Sequence, residues 1–491
     1  MILRKLTKNF GKIFSGTSLK DRAIHGGMWL GIGSTIENGL RFARNMILVR
    51  LLAPEAFGSM AILLAVNAAF ESFTQIGIKE AIIQNPKGEE QTYLNGAWWV
   101  SFFRSIVLFA IAYVGAPWIA RFYDDPELLP LLILSFSTIL FNGFMSPRAF
   151  VVLKQMKYSR WVSISQGGSV CGILTAIILA FFITNVWALV IGFIVEAASR
   201  CFLSFMISPF IPGFDFDRKQ LNELFKYVRG MFGLPILCFI FIQADIFVVG
   251  KLLSKGDLGL YSMVASLARI PSLLISIFIN PIMMPVFSEM KDQKERINRA
   301  VMKTTSLTAY LGFPLLFLLF FNGKDLLYLV YGTQYTVVAI PFAIIFVTTL
   351  ARTCGAPIAT LFFATGRPEQ QRLFVGIRAI LIVIFIYPAV KWYGVVGAAS
   401  AGLFAMMIAY FFQVVRLRYL TEIKIWEYFC IFPKALCCSL PVIIAWFTMY
   451  KIMPFHQLGI LPSIIGCVFA YSISFMVILK QKNLKLKPSL R

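Results

Sequence analysis

The sequence predicts an all-α integral membrane protein with fourteen transmembrane helices, and three observations support this fold class. The chain of 491 residues is 58% hydrophobic and only 14% charged, with a mean hydropathy of +0.77, so it has too few polar groups to cover a soluble surface. Fourteen apolar runs are long enough to cross a bilayer, for which about twenty helical residues suffice. Lysine and arginine concentrate in every second gap between these runs, which lie near residues 23–49, 56–78, 93–120, 128–147, 161–183, 186–208, 227–250, 258–286, 300–321, 337–364, 371–390, 394–415, 425–450 and 457–479.

The basic residues orient the predicted helices. Of the 46 Lys and Arg residues, 31 fall in the N-terminal segment, the even-numbered loops and the C-terminus, whereas 7 fall in the odd-numbered loops. Cytoplasmic loops hold such an excess because the insertion machinery and the anionic inner leaflet retain basic residues. Both termini are therefore predicted to be cytoplasmic. Most of the net charge of +23 comes from basic residues in loops that are predicted to lie at the anionic inner leaflet. We therefore expect no nucleic acid partner despite the basic composition.

The two ends of the chain are predicted to lie at the cytoplasmic surface of the bilayer. In residues 1–22, apolar side chains recur at helical spacing among lysines, which favours a helix in the inner-leaflet interface; the alternative is a disordered basic tail. This segment lacks the apolar core and the cleavage site of a secretory signal. Residues 481–491 are predicted to form a basic cytoplasmic tail. The apolar residues of the first segment are Ile2, Leu3, Leu6, Phe10, Ile13 and Phe14.

Between these ends the chain contains an internal repeat. Residues 50–60, after the first span, resemble residues 251–261, after the seventh, and the offset of 201 aligns Gly58 with Gly259. Residues 186–192 resemble residues 396–402 at an offset of 210. Six spans separate the copies, so the repeat is parallel, with an axis along the membrane normal and a central site between two lobes. The predicted domains are an N-lobe of six helices at 23–210, a C-lobe of six helices at 211–420, and two further helices at 421–480.

Eight basic and four acidic residues fall inside the predicted spans. A charge at mid-bilayer costs about 2.5–3.5 kcal/mol on insertion scales, so such residues usually face a partner or a watery cavity. Glu196 and Arg200 are four residues apart and are expected to pair on one helix face. Snorkelling towards an interface is an alternative for several of the others. The twelve residues are Arg41, Arg44, Arg104, Arg200, Arg269, Arg352, Arg378 and Lys434, with Glu37, Glu71, Glu196 and Asp245.

From this set we select candidate site residues by their depth in the membrane. The candidates for binding an anionic substrate in a cationic cavity are Arg41, Arg44, Arg269, Arg352 and Arg378, and the candidates for ion coupling or gating are Glu37, Glu71 and Asp245. Because the offset of 201 places Asp245 opposite Arg44, a pair across the lobes is one hypothesis; pairing within each lobe is the alternative.

The sequence carries no sign of ATP, redox or metal chemistry. It contains no G-x-x-x-x-G-K-[ST] motif, so we expect no ATP hydrolysis and no cofactor. Energy is expected from an H⁺ or Na⁺ gradient, from the substrate gradient or from consumption of the product. The cysteines all lie in predicted spans and are interpreted as packing residues: Cys171, Cys201, Cys238, Cys354, Cys430, Cys437, Cys438 and Cys467.

The chain resembles a known family through its motifs. Leu51-Leu52 followed by Phe57-Gly58-x-Met60 after the first span, and the stretch from Ala268 to Ser288 with its prolines, are similar to the polysaccharide transporter family, and in particular to Wzx-type flippases and colanic-acid exporters. The resemblance implies that an undecaprenyl-pyrophosphate-linked oligosaccharide moves from the cytoplasmic to the periplasmic leaflet of the bacterial inner membrane. It also implies the polysaccharide polymerase machinery as a partner. Guanidinium groups suit this cargo because they bind phosphate oxygens bidentately, and a low dielectric strengthens the attraction.

Two other functions are weighed against this one. A cation-coupled multidrug extruder of the same superfamily would need acidic cavity residues, which the basic excess and the two extra spans argue against. A membrane glycosyltransferase or polymerase would need catalytic groups in a sizeable loop. The one acidic cluster outside, at residues 124–127, lies in a short loop and is interpreted as a turn and helix cap. The sequence therefore predicts a transporter rather than an enzyme.

Overall fold

Every regular element in the described part of the chain is a helix, as the sequence predicts. The computed structural model describes residues 19–74, 77–215, 217, 220, 222, 224, 234–290, 293–421, 423–448, 466, 468–470 and 472. The predicted interfacial segment at 1–22, the last predicted span and the tail at 481–491 therefore lie wholly or largely outside the described residues. The predictions made for them stay predictions.

The helices follow the predicted spans along the chain. In the first part they are α1 (Leu19–Leu51), α2 (Pro54–Thr74), α3 (Ile78–Gln84), α4 (Gln91–Phe122), α5 (Leu128–Ser135), α6 (Ser137–Phe144), α7 (Arg148–Lys154), α8 (Tyr158–Phe182) and α9 (Val186–Ile207). In the second part they are α10 (Leu234–Leu252), α11 (Lys255–Glu289), α12 (Lys294–Phe321), α13 (Gly323–Tyr331), a 3₁₀ turn (Thr333–Val338), α14 (Ala339–Ala364), α15 (Pro368–Thr421), α16 (Ile425–Phe429), α17 (Ile431–Cys437) and α18 (Leu440–Phe447).

Many of these helices are long and apolar enough to span a membrane. Among the described residues, 7 helices are long and apolar enough to cross a membrane, and α5 to α7, bent by 60°, would make an eighth span. Helix α15 is 54 residues long and contains two predicted spans, broken at Gly394, where φ is 56°. Glycine suits this position because residues that carry a Cβ atom rarely adopt a positive φ. The integral membrane fold is confirmed, whereas the count of fourteen and the orientation of the termini stay predictions.

The described residues divide into two compact units. The first contains the residues up to Phe239 together with Ser254–Gly259, and the second contains Ile240–Leu253 and the residues from Leu260 onwards. A short stretch of the second motif copy thus belongs to the first unit. The boundaries predicted for the two lobes stay predictions.

In the first unit, α8 and α9 pack very closely and so bring their polar residues together. A Cβ atom added to Gly172 would come within 2.7 Å of the carbonyl oxygen of Gly192 and would press on the side chain of Glu196. Asn185 caps α9 by accepting a hydrogen bond from the Trp187 N–H at 3.0 Å, which satisfies one of the free donors at the helix start. Small residues therefore set the approach of α9 to α8 at the position of Glu196.

The linker that follows α9 is held against the start of α4. The indole N–H of Trp99 donates to the carbonyl oxygen of Gly213 at 3.0 Å. Asn95 accepts from the Gly213 N–H at 3.1 Å and donates to the carbonyl oxygen of Asp215 at 3.3 Å. The beginning of the predicted C-lobe is thereby fixed to the first unit.

The acidic loop before α5 is a turn, as the sequence predicts, but it does not cap the helix. Asp124 has a φ of 53°, and Asp125 Oδ1 accepts from the Glu127 N–H at 3.3 Å. No side chain at the N-cap position bonds to the first turn of α5. The predicted cap is wrong because Glu127, at the N-cap position, has helical backbone angles (φ −69°, ψ −21°), whereas a capping residue typically has an extended backbone. Asp125 instead pairs through Oδ2 with Lys255 Nζ at 2.5 Å.

In the second unit, the helices after α15 join the main core. Tyr428 of α16 is fully buried, and its hydroxyl lies 2.7 Å from the hydroxyl of Tyr410 and 3.4 Å from Oγ1 of Thr305. Its neighbours in this core include Cys354 and Leu350 of α14. The described part of the predicted thirteenth span is thus packed into the second unit. The seven cysteines among the described residues are all free thiols.

Candidate functional site

Intramembrane charges of the first unit meet where α1, α8 and α9 pack together. Arg41 forms ion pairs with Glu37 at 3.1 Å and with Glu196 at 2.5 Å. Arg200 pairs with the same oxygen of Glu196 at 2.8 Å, which confirms the predicted pairing on one helix face. Ser169 lies between the two acids, with its hydroxyl 3.0 Å from Glu37 and 3.1 Å from Glu196. We call these five residues the N-unit charge cluster.

Two arginines against two carboxylates make the N-unit charge cluster electrically balanced. Glu37 also accepts from Gln166 Nε2 at 3.1 Å, so its second oxygen is occupied as well. A charge in a bilayer is stabilised when such partners surround it. Arg41, a predicted substrate-binding residue, is therefore already neutralised by Glu37 and Glu196. The sequence could not show the contact with Glu196, because 155 residues separate the two.

Arg44 lies on α1 outside this cluster. Its Nε and Nη2 atoms donate to Oδ1 of Asn45 at 3.2 and 3.0 Å. Asp245, its proposed partner across the lobes, belongs to the second unit and accepts a hydrogen bond from Tyr261. The pairing of Arg44 with Asp245 stays a prediction.

Glu71 forms a separate polar contact in the first unit. It accepts a hydrogen bond from Asn142 of α6 at 2.6 Å, and it attracts the charge of Arg104 on α4. One turn earlier on α2, Asn67 donates to Oγ of buried Ser135 at 2.9 Å. Arg104 is thus placed near an intramembrane acid. Only the packing of α2, α4 and α6 brings these groups together, since no local spacing connects them.

The second unit contains a pocket that gathers three of the predicted residues. The pocket has a volume of about 80 Å³, and Asp245, Arg269 and Arg352 line it together with Tyr261, Thr348 and Thr349. They come from α10, α11 and α14, with α15 completing the wall. The hydroxyl of Tyr261 donates to Oδ2 of Asp245 at 2.7 Å. Both arginine side chains are exposed to the pocket space.

Arg378 lies next to this pocket rather than in it. Its guanidinium group sits 4.9 Å from the ring centroid of Phe241, and Phe241 is part of the pocket wall. Its Nε atom donates to the carbonyl oxygen of Phe374 at 3.4 Å, and Nη1 lies 3.6 Å from the sulfur of Met406. Cation–π contact of this kind stabilises a desolvated guanidinium by about 2 kcal/mol. Arg378 therefore contributes positive charge behind an aromatic wall.

The structure thus sorts the predicted residues into separate places. Arg269, Arg352 and Asp245 share one pocket, with Arg378 beside it, whereas Arg41 and Glu37 form the N-unit charge cluster. Sequence reasoning missed Tyr261 as a site residue. It ends the second motif copy, where the first copy has Met60, and this difference between the copies is the signal that could have revealed it. Among the residues that the structure describes, no group of acids, cysteines and histidines could hold a metal ion.

Comparisons with known proteins agree with the resemblance seen in the motifs. The chain matches the family described as "Polysaccharide biosynthesis protein" over residues 47–340. The lipopolysaccharide biosynthesis protein WzxC of Escherichia coli (strain K12) is 22% identical over 394 residues, covering 80% of each chain. The succinoglycan biosynthesis transport protein ExoT of Rhizobium meliloti (strain 1021) is 25% identical over 310 residues, covering 62% of each chain.

A solved structure shows the same fold. The lipid II flippase MurJ, in an inward closed conformation, superposes with a TM-score of 0.73 over 92% of this chain and 98% of that chain, at 15% sequence identity. Fold, relatives and family match agree with the prediction of a transporter. The chain therefore belongs to the polysaccharide biosynthesis protein family and is a multi-pass transport protein of the bacterial inner membrane.

Proposed function

We propose that this protein moves an undecaprenyl-pyrophosphate-linked oligosaccharide, the repeat unit of a surface polysaccharide, from the cytoplasmic to the periplasmic leaflet. The names of its relatives support a polysaccharide cargo, and MurJ, which has the same fold, is a flippase for lipid II. We expect the polysaccharide polymerase machinery to receive the translocated unit.

One observation carries this proposal: in the pocket of the second unit, the side chain of one arginine forms no direct ion pair with a described carboxylate. Arg269 makes no hydrogen bond or ion pair with any residue that the structure describes. Arg352 lines the same pocket, and Asp245 is the one carboxylate among the lining residues. Pyrophosphate supplies negative charge, which would balance the excess positive charge of this pocket. Each guanidinium group can bind two phosphate oxygens at once. The same balance disfavours an organic cation as cargo.

Transport would proceed by alternating access. The lipid tails would stay in the bilayer while the charged head group crosses between the two predicted lobes. Coupling to an H⁺ or Na⁺ gradient would use one of the membrane carboxylates, Glu37, Glu71 or Asp245. Each accepts a hydrogen bond from a neighbouring side chain, from Gln166, Asn142 and Tyr261 respectively.

The proposal is tested by removing the pocket arginines. Arg269→Ala and Arg352→Ala are expressed in a host that lacks its own copy of the gene, and surface polysaccharide is measured together with the amount of protein in the membrane. We expect export to fall at least about tenfold, because a charge-assisted pair with phosphate is lost. Arg416→Ala is the matched control, since Arg416 is exposed on α15 and donates to Gln370 at 2.8 Å, and neither residue lines the pocket. Wild-type export by both pocket variants would overturn the proposal.

A further inference from the structure

Both carboxylate oxygens of Asp245 are occupied by groups other than arginine. Oδ2 accepts from the Tyr261 hydroxyl at 2.7 Å, and Oδ1 accepts from the Ile246 N–H at 2.9 Å. Tyr261 itself is only 3% exposed. Since a buried hydroxyl that loses its partner is costly, this bond fixes the carboxylate at one end of the pocket.

Arg269 shares the pocket with Asp245 and is near enough to attract it. Tyr261 and Arg269 lie on the same helix, α11, eight residues apart. At the rise of an α-helix this separates their backbones by about 12 Å along the axis. The carboxylate is thus bonded to a side chain that leaves α11 about two turns before Arg269 does.

In the N-unit charge cluster, by contrast, the carboxylates pair directly with arginines. There, Glu37 and Glu196 pair directly with Arg41, and Arg200 pairs with Glu196. A direct pair of this kind competes with any anionic ligand, because the ligand must displace a carboxylate. In the pocket of the second unit, the bond from Tyr261 to Asp245 takes the place of that pairing.

We propose that Tyr261 is a positioning residue that keeps Asp245 off Arg269, so that Arg269 remains available to the anionic head group of the cargo. Asp245 is then an internal counter-ion: when its bond to Tyr261 opens, it can replace the ligand on Arg269 and promote release. Arg352 also lines the pocket, and Arg378 lies over the ring of Phe241, which is part of the pocket wall. The proposal rests on the function proposed above and adds the residues that regulate binding at that site.

The test measures binding of farnesyl pyrophosphate to the purified full-length protein in lipid nanodiscs. Tyr261→Phe removes only the hydroxyl and is expected to weaken binding about tenfold, as an ion pair to Arg269 forms in its place. Asp245→Asn should bind at least as tightly as the wild type. The double variant, Tyr261→Phe with Asp245→Asn, should regain the wild-type affinity, because the competing charge is gone. Tyr387→Phe, at an exposed position of α15, is the matched control.

Two outcomes would overturn the positioning role. Either Tyr261→Phe binds as tightly as the wild type, or the double variant stays as weak as Tyr261→Phe alone while its melting temperature equals that of the wild type. Arg269→Ala separates this from the proposed function. If Arg269→Ala binds normally, the anion site itself is wrong; if it loses binding while Tyr261→Phe does not, only the positioning role fails.

Discussion

Gly58 and Gly259 approach each other so closely that neither position has room for a side chain. A Cβ atom on Gly58 would lie 3.2 Å from the backbone nitrogen of Gly259, and one on Gly259 would lie 3.1 Å from that of Gly58. Each added atom would also overlap a carbonyl oxygen, that of Lys255 or that of Pro54 respectively. These glycines are equivalent positions in the two motif copies, so the repeat seen in the sequence is also a contact within the first unit.

Alanine at either glycine should therefore destabilise the protein. We expect Gly58→Ala and Gly259→Ala each to cost about 1–3 kcal/mol, because the added methyl group meets backbone atoms that cannot rotate away. Thermal unfolding of the purified protein in detergent measures the effect. The control is Gly115→Ala on α4, where an added Cβ meets nothing within 4 Å and alanine should be neutral or slightly stabilising. Equal melting temperatures for Gly58→Ala and Gly115→Ala would contradict the close contact.

Glu196 should be coupled energetically to Arg41. Glu196→Gln removes the acid shared by Arg41 and Arg200 and leaves Arg41 with Glu37 alone. We expect a loss of about 2 kcal/mol in unfolding free energy, less than for a fully buried pair because the guanidinium groups are partly exposed. Arg41→Gln together with Glu196→Gln should cost less than the sum of the single changes, by about 1 kcal/mol. A double-mutant cycle on unfolding free energies gives this coupling. Strict additivity would mean that the pair does not form in the bilayer.

The predicted orientation can be tested by labelling two exposed positions. In a variant without native cysteines, Ala53→Cys between α1 and α2 should react with a membrane-impermeant maleimide added outside the inner membrane. Lys87→Cys, in the loop between α3 and α4, should react only after the membrane is permeabilised. Both positions are exposed in the structure, so the difference reports on sidedness alone. Labelling of position 53 from the cytoplasmic side would contradict the predicted topology.

Glu71→Gln separates the charge of this residue from its hydrogen bond. Glutamine can still accept from Asn142, so the protein should reach the membrane in normal amounts. If Glu71 carries the coupling ion, transport in proteoliposomes should no longer accelerate when a proton or sodium gradient is imposed. Glu80→Gln is the control, because Glu80 is exposed on α3. A normal response to both gradients would remove Glu71 from the coupling candidates.

The pairs that sequence reasoning found are the local ones. Glu196 and Arg200 were predicted to pair because residues four apart face each other on a helix, and they do so at 2.8 Å. The contact of Glu196 with Arg41 joins α9 to α1, and the attraction between Glu71 and Arg104 joins α2 to α4. No spacing rule reaches across helices, so these contacts could not be predicted. The ion pair of Lys255 with Asp125 likewise joins distant parts of the chain.

The sequence by itself determined the membrane class, the helices, the family and the set of charges that must be stabilised within the bilayer. It could do so because, in lipid, each backbone satisfies its hydrogen bonds within its own helix, so that composition and charge suffice to locate the spans. Only the tertiary structure decided which of those charges neutralise each other. Arg41 is paired and Arg269 is not. The register at which helices pack, rather than the order of residues along them, places two carboxylates beside Arg41, whereas the carboxylate in the pocket of Arg269 is bonded to Tyr261.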